Sequence, residues 1–109
     1  MTPSLPALPF GPTAIVIVAA NIEFEPPETL VPAGAPMRIT LDNQDVDIPH
    51  NVQLLAGPAF TTVLAKTEIV TGPATTPAFD VQGLPPGAYR FGCEVHPNMT
   101  SELTVQPVQ

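Results

Sequence analysis

This sequence predicts an all-β fold, a Greek-key sandwich of about eight strands. Two observations lead there. Sixteen of the 109 residues are Pro, and an interior Pro costs a helix about 3 kcal/mol, which excludes a helical bundle. The remaining chain falls into short β-branched or alternating segments, each closed by a Pro, Gly, Asn or Asp turn signal.

In order, Ala14-Ile-Val-Ile-Val-Ala19 is short and β-branched and suits a strand better than a helix. Ile22-Glu-Phe-Glu25 alternates apolar and acidic, as a strand with one wet face does, and Pro26-Pro27 stops it. Thr29-Leu-Val31 ends at Pro32-Ala-Gly34. Met37-Arg-Ile-Thr-Leu41 alternates again and runs into the polar turn Asp42-Asn-Gln-Asp45. Val52-Gln-Leu-Leu55 is closed by Gly57-Pro58, and residues 59–66 fit a loop, a strand or a short helical turn equally. Glu68-Ile-Val70 and Ala78-Phe-Asp-Val81 read as strands on either side of Gly72-Pro73. Leu84-Pro-Pro-Gly87 is a tight turn, Ala88 to Cys93 is a strand carrying Tyr89 and Phe91, and Leu103-Thr-Val105 is the last. There is no internal repeat and no Gly-rich phosphate loop.

The length suits one domain and is too short for two independent cores. Ahead of it, residues 1–13 place Pro3, Pro6, Pro9 and Pro12 three apart, the period of polyproline II, and read as an extended lead-in or tether. The domain proper is expected over 14–109. Ten acids against three bases, a net charge of -7, argue against nucleic acid, which is held through Lys and Arg. The longest apolar run, Ala14 to Ala20, is far short of the ~20 residues of a membrane helix. The Pro-rich start lacks the basic residues and the h-region of a secretory signal. One Cys allows no intrachain disulfide.

Soft and borderline metal ligands are scarce, so their placement is informative. Cys93, His96 and Met99 lie within Phe91-Gly-Cys-Glu-Val-His-Pro-Asn-Met99, and the second histidine, His50, lies in Asp47-Ile-Pro-His-Asn51. Each group falls at a junction between expected strands. Singly, each has an ordinary reading: a lone Cys in a β domain is usually a small buried hydrophobe, and His or Met alone packs or faces water. Together they are one thiolate, two imidazoles and a thioether, the donor set of a blue-copper electron-transfer site. Two-residue spacers let one tight loop offer three ligands, and Pro97 stiffens that loop.

These motifs resemble the cupredoxins. Phe91-x-Cys93-x2-His96-Pro97-x-Met99 followed by Leu103-Thr-Val105 is similar to the family's C-terminal signature. Asp47-Ile-Pro-His50-Asn51-Val52 is similar to its first copper-histidine segment, and Leu84-Pro-Pro-Gly87-Ala-Tyr-Arg-Phe91 to the turn and strand leading into the Cys. The likeness spans most of 14–106, and its His-to-Met gap is that of amicyanin, shorter than in plastocyanin. Thr100-Ser101 stands where many relatives carry Gly. The resemblance implies a cupredoxin-like sandwich with one mononuclear type 1 copper ion held by His50, Cys93, His96 and Met99, and Asn51 as a brace between the two ligand loops. It implies a monomeric, non-enzymatic electron carrier working with redox partners such as a cytochrome or a membrane oxidase. Docking is expected near His96, on an apolar patch of Pro49, Pro97, Pro85, Pro86 and Ala35. A periplasmic or extracytoplasmic location follows from copper redox chemistry, with the Pro-rich start as the membrane tether of a longer chain. The alternative is a module that holds Cu(I) for delivery. A Cys–His nucleophile pair lacks an oxyanion-hole motif and a third group, and two histidines are too few for a multicopper oxidase.

Overall fold

A computed structural model describes residues 13–108. The Pro-rich lead-in therefore lies almost wholly outside the described residues, and Thr13 already opens the first strand. Among the described residues there is no helix, and the expected all-β sandwich is what forms.

The strands are β1 (Thr13–Ala20), β2 (Glu23–Glu25), β3 (Glu28–Pro32), β4 (Met37–Asn43), β5 (Pro49–His50), β6 (Gln53–Ala56), β7 (Thr62–Lys66), β8 (Val70–Thr71), β9 (Ala74–Thr75), β10 (Phe79–Val81), β11 (Gly87–Gly92) and β12 (Thr100–Gln106). One sheet runs β10-β4-β1-β2, with β9 also on β4; the other runs β3-β12-β11-β6-β7. A two-stranded ribbon, β5-β8, stands apart. Each main sheet has one parallel pair, central in the first sheet and at the β3 edge of the second. β1 and β4 run together from Thr13↔Met37 to Ala19↔Asn43, and β12 with β3 from Glu102↔Glu28 to Gln106↔Pro32. Parallel neighbours need a crossover. For β1 and β4 it passes through the other sheet: Pro26-Pro27 carries the chain from β2 across to β3, and residues 33–36 bring it back to β4.

Alternation decides the core. Ile15, Ile17 and Ala19 of β1 and Met37, Ile39 and Leu41 of β4 turn inward, while Ala14, Val16 and Arg38 face out. They join one buried cluster with Leu54, Phe91, Leu103 and Val105 of the second sheet. Several segments depart from the sequence reading. The ambiguous stretch resolves as β7, an edge strand whose Val63 and Leu64 are exposed. The expected strand at Glu68–Val70 begins only at Val70, because Thr67 is drawn inward to bond Val52.

β11 ends at Gly92 and β12 starts at Thr100, so residues 93–99 form the connection at one end of the sandwich. Ser101, where a Gly was expected from relatives, needs no special backbone. It sits in β12 opposite Phe91, fully buried, and its hydroxyl donates to Pro26 O at 2.6 Å. The turn at residues 84–87 lies at the other end of β11, about 20 Å away at roughly 3.3 Å per residue. Ala35 is there too, since Gly34 N–H donates to Leu84 O and Ala33 N–H to Gln106 O. The expected apolar patch is thus corrected: Pro85, Pro86 and Ala35 belong to the far end, and Ala35 is buried. Near the connection, the exposed apolar residues are instead Val46, Ile69 and Val95, beside Pro97 and the half-buried Pro49.

Candidate metal centre

His50 ends the short strand β5, and Asn51-Val52 lead from it into β6. Thr67 clamps this stretch: its hydroxyl accepts from Val52 N–H at 3.0 Å and its N–H donates to Val52 O at 2.9 Å. Cys93 follows β11 directly. The loop after it closes with Met99 N–H donating to His96 O at 2.9 Å, and Met99 enters the core at the foot of β12. Cys93, Met99 and His50 are all buried, and His96 is partly exposed.

The four sequence-predicted residues thus come from two loops forty-three positions apart (His50 to Cys93) at the same end of the sandwich. One ligand atom each from His50, Cys93 and His96 lies within 4.8 Å of the others. His50 Nδ1 is 3.9 Å from Cys93 Sγ. Metal–nitrogen and metal–sulfur bonds of about 2.0 and 2.3 Å, opened to about 120°, would separate nitrogen from sulfur by about 3.7 Å. The observed spacing suits a shared ion. The two imidazole rings meet edge to face, their centroids 4.8 Å apart. His96 Nδ1 is buried without a hydrogen-bond partner, a costly condition unless something else accepts its lone pair. Soft sulfur, two imidazoles and the buried thioether of Met99 form a donor set that fits copper in either oxidation state.

Asn51 joins the two ligand loops. Its Oδ1 accepts from Glu94 N–H at 2.8 Å, one residue past the Cys, and its Nδ2 donates to Glu94 Oε1 at 2.7 Å. A longer bond of 3.4 Å runs from Nδ2 to Thr67 O. Lys66 pairs with the same Glu94 carboxylate at 3.2 Å, an exposed contact that adds little. Replacing Asn51 with Ala strands the Glu94 N–H and is expected to cost about 1–3 kcal/mol. Chemical denaturation of the metal-free protein measures it, and a loss below a few tenths of a kcal/mol would show that the bridge holds nothing.

Sequence reasoning missed Asn43 and Asp45. Both lie in the stretch Asp42-Asn-Gln-Asp45, read from sequence only as a polar turn. Asn43 is fully buried; its Nδ2 donates to Ile48 O and Val70 O, each at 2.9 Å, and its Oδ1 accepts from Asp45 N–H. It pins the β5-β8 ribbon, which carries His50, to the end of β4. Gly72 closes against the same loop: a Cβ there would fall 2.2 Å from Asp45 O, backbone that cannot step aside. Asp45 Oδ2 lies 2.8 Å from His50 Nε2. Burial pushes the Asp45 carboxyl up, but the hydrogen bonds from His50 and from the Ile22 and Asn21 N–H groups outweigh it and hold the group below the usual carboxylate range. The spacing Asp45-x4-His50 carries no motif by which this contact could have been found in advance.

Two β-sheets packed face to face, with a Cys-His-Met loop and a distant His meeting at one end, define a β-sandwich with a mononuclear metal centre. Residues 6–105 match the family model of the cupredoxin-like domain, and the chain belongs to that family. Solved structures agree on the fold. Dithionite-reduced auracyanin from the photosynthetic bacterium Roseiflexus castenholzii superposes with a TM-score of 0.77 at 22% identity, covering 89% of this chain and 99% of that one. Auracyanin A, a "blue" copper protein from the green thermophilic photosynthetic bacterium Chloroflexus aurantiacus, gives 0.73 at 23%, covering 88% and 100%. A reduced Cu(I) form of amicyanin gives 0.61 at 27%, covering 85% and 82%. The comparison with curated proteins found no match.

Proposed function

We propose that the protein is a small type 1 copper electron carrier, with His50, Cys93, His96 and Met99 holding one copper ion. The observation that carries this reading is the convergence of His50 Nδ1, Cys93 Sγ and a ring nitrogen of His96, whose Nδ1 is buried and without a hydrogen-bond partner. The family and its copper-binding neighbours support it. When bound, the copper supplies a one-electron couple between Cu(II) and Cu(I).

The chain's own residues supply the rest. Three of the four proposed ligands are buried, which keeps water from the donor atoms. The bonds of Asn51 and Thr67 fix the two loops with or without metal, so the site is pre-shaped and little reorganises as charge changes. His96 is the partly exposed ligand and offers the route to a partner. Around it Val95 and Pro97, with Val46, Pro49 and Ile69 beside the His50 loop, make a weak apolar docking face suited to transient encounter. The net charge of -7 favours a partner that is basic, such as a cytochrome, or a membrane oxidase with a basic docking face. The protein acts as a carrier and not as an enzyme, works as a monomer outside the cytoplasm, and uses its Pro-rich start as a tether ahead of the copper domain, which opens with β1 at Thr13. Among the described residues no helix is long and apolar enough to cross a membrane.

The test is optical. Adding Cu(II) to the metal-free protein is expected to produce an intense blue or green colour that ascorbate bleaches and ferricyanide restores over repeated cycles. A colourless Cu(I) form that resists reoxidation would replace this reading with copper delivery.

A further inference from the structure

One buried carboxylate beside the metal centre is not among its ligands. Asp45 gathers three donors from two places in the fold. Its Oδ2 faces His50 Nε2 at 2.8 Å and accepts from Ile22 N–H at 2.9 Å, and its Oδ1 accepts from Asn21 N–H at 2.6 Å. Asn21 and Ile22 are both held at φ 56°, a left-handed conformation that is rare for non-Gly residues and an outlier for a β-branched one. That turn aims two successive N–H groups at a single carboxylate. On the other side, Asp45 N–H is tied to the buried Asn43 and its carbonyl is packed against Gly72. Both the carboxylate and the backbone that carries it are therefore fixed.

An acceptor at Nε2 decides the tautomer of a neutral imidazole: the proton sits on Nε2, and Nδ1 keeps its lone pair. Here Nδ1 is the nitrogen that faces Cys93 Sγ. A full negative charge behind an imidazole also raises its basicity, and so favours the more highly charged state of a bound metal.

We propose that Asp45 is a positioning residue for the metal centre, holding His50 in the Nε2–H tautomer with Nδ1 turned to the metal and biasing the site toward the more oxidised ion. The inference rests on the copper reading for its second half only. The tautomer is a property of the metal-free protein.

Two measurements on the full chain test it. In copper-free wild-type protein at mildly alkaline pH, nitrogen-15 NMR should find His50 protonated at Nε2. Finding the proton on Nδ1 would overturn the proposal, and this result needs no variant to fold and no copper to bind. The second compares wild type with Asp45→Asn and Asp45→Glu. The amide keeps an acceptor for His50 and loses the charge. The ratio of Cu(II) to Cu(I) affinity is expected to fall about tenfold in Asp45→Asn, a rise in midpoint potential of about 59 mV for a one-electron couple. Asp45→Glu should return most of it. A folded Asp45→Asn protein with an unchanged ratio and only a lower melting temperature would show a structural role alone and overturn the proposal. Failure of the wild type to take up copper would instead sink the electron-carrier reading and leave the tautomer result standing.

Discussion

Cys93→Ser is expected to abolish the intense visible absorption of the copper-loaded protein. That absorption requires a thiolate bonded to Cu(II), and a serine hydroxyl is neither deprotonated near neutral pH nor soft enough to replace it. Ser nearly matches Cys in volume, so the fold should persist. Cys93 is only 3% exposed, and burying an unpaired hydroxyl there costs about 1–3 kcal/mol, less than the stability of an ordinary domain. Copper bound through the two imidazoles alone would be pale. The measurement is the absorption spectrum at equal copper occupancy, with circular dichroism to show that the sheets remain. A variant with the wild-type band would show that Cys93 is not a ligand, and the proposed mechanism would fall with it.

Phe91→Ala should be the most damaging change to the core that leaves the ligands in place. Phe91 is fully buried and the largest of the fully buried side chains. It lies in the interior strand β11, opposite Ser101 on one side and Leu54 on the other. Truncating a buried Phe removes its transfer free energy and leaves a cavity, together about 3–5 kcal/mol. That is a large fraction of a typical 5–15 kcal/mol. Unfolding should be measured without copper, because a ligand bound only by the native state would mask part of the loss. A drop under about 1 kcal/mol would place Phe91 somewhere other than the interior this packing describes. The copper-loaded variant should keep its visible band, since the Asn51–Glu94 bridge holds the loops independently.

How much of this was legible in the residues differs by element. β1 and β4 alternate or run β-branched, and their inward and outward faces follow from a period of two. β8 and β9 are two residues each, too short for any pattern, and exist because β5 and β4 offer them backbone partners. The apolar docking patch was wrong for a related reason. Pro85 and Pro97 are twelve positions apart, yet a whole strand lies between them and sends them to opposite ends.

The donor set was written in the chain: one Cys, two His and a Met with tight spacing carry their chemistry whatever their surroundings, and two-residue gaps limit how far apart local ligands can be. Three-dimensional packing alone decided that His50 reaches that loop with Nδ1 forward, because nothing local specifies a meeting across forty-three positions. It also decided that Asp45, outwardly one more acid in a polar turn, is buried behind the imidazole. A residue's composition sets what it can bond. Which partner it bonds depends on where sheet pairing leaves it, and that is a property of the whole fold.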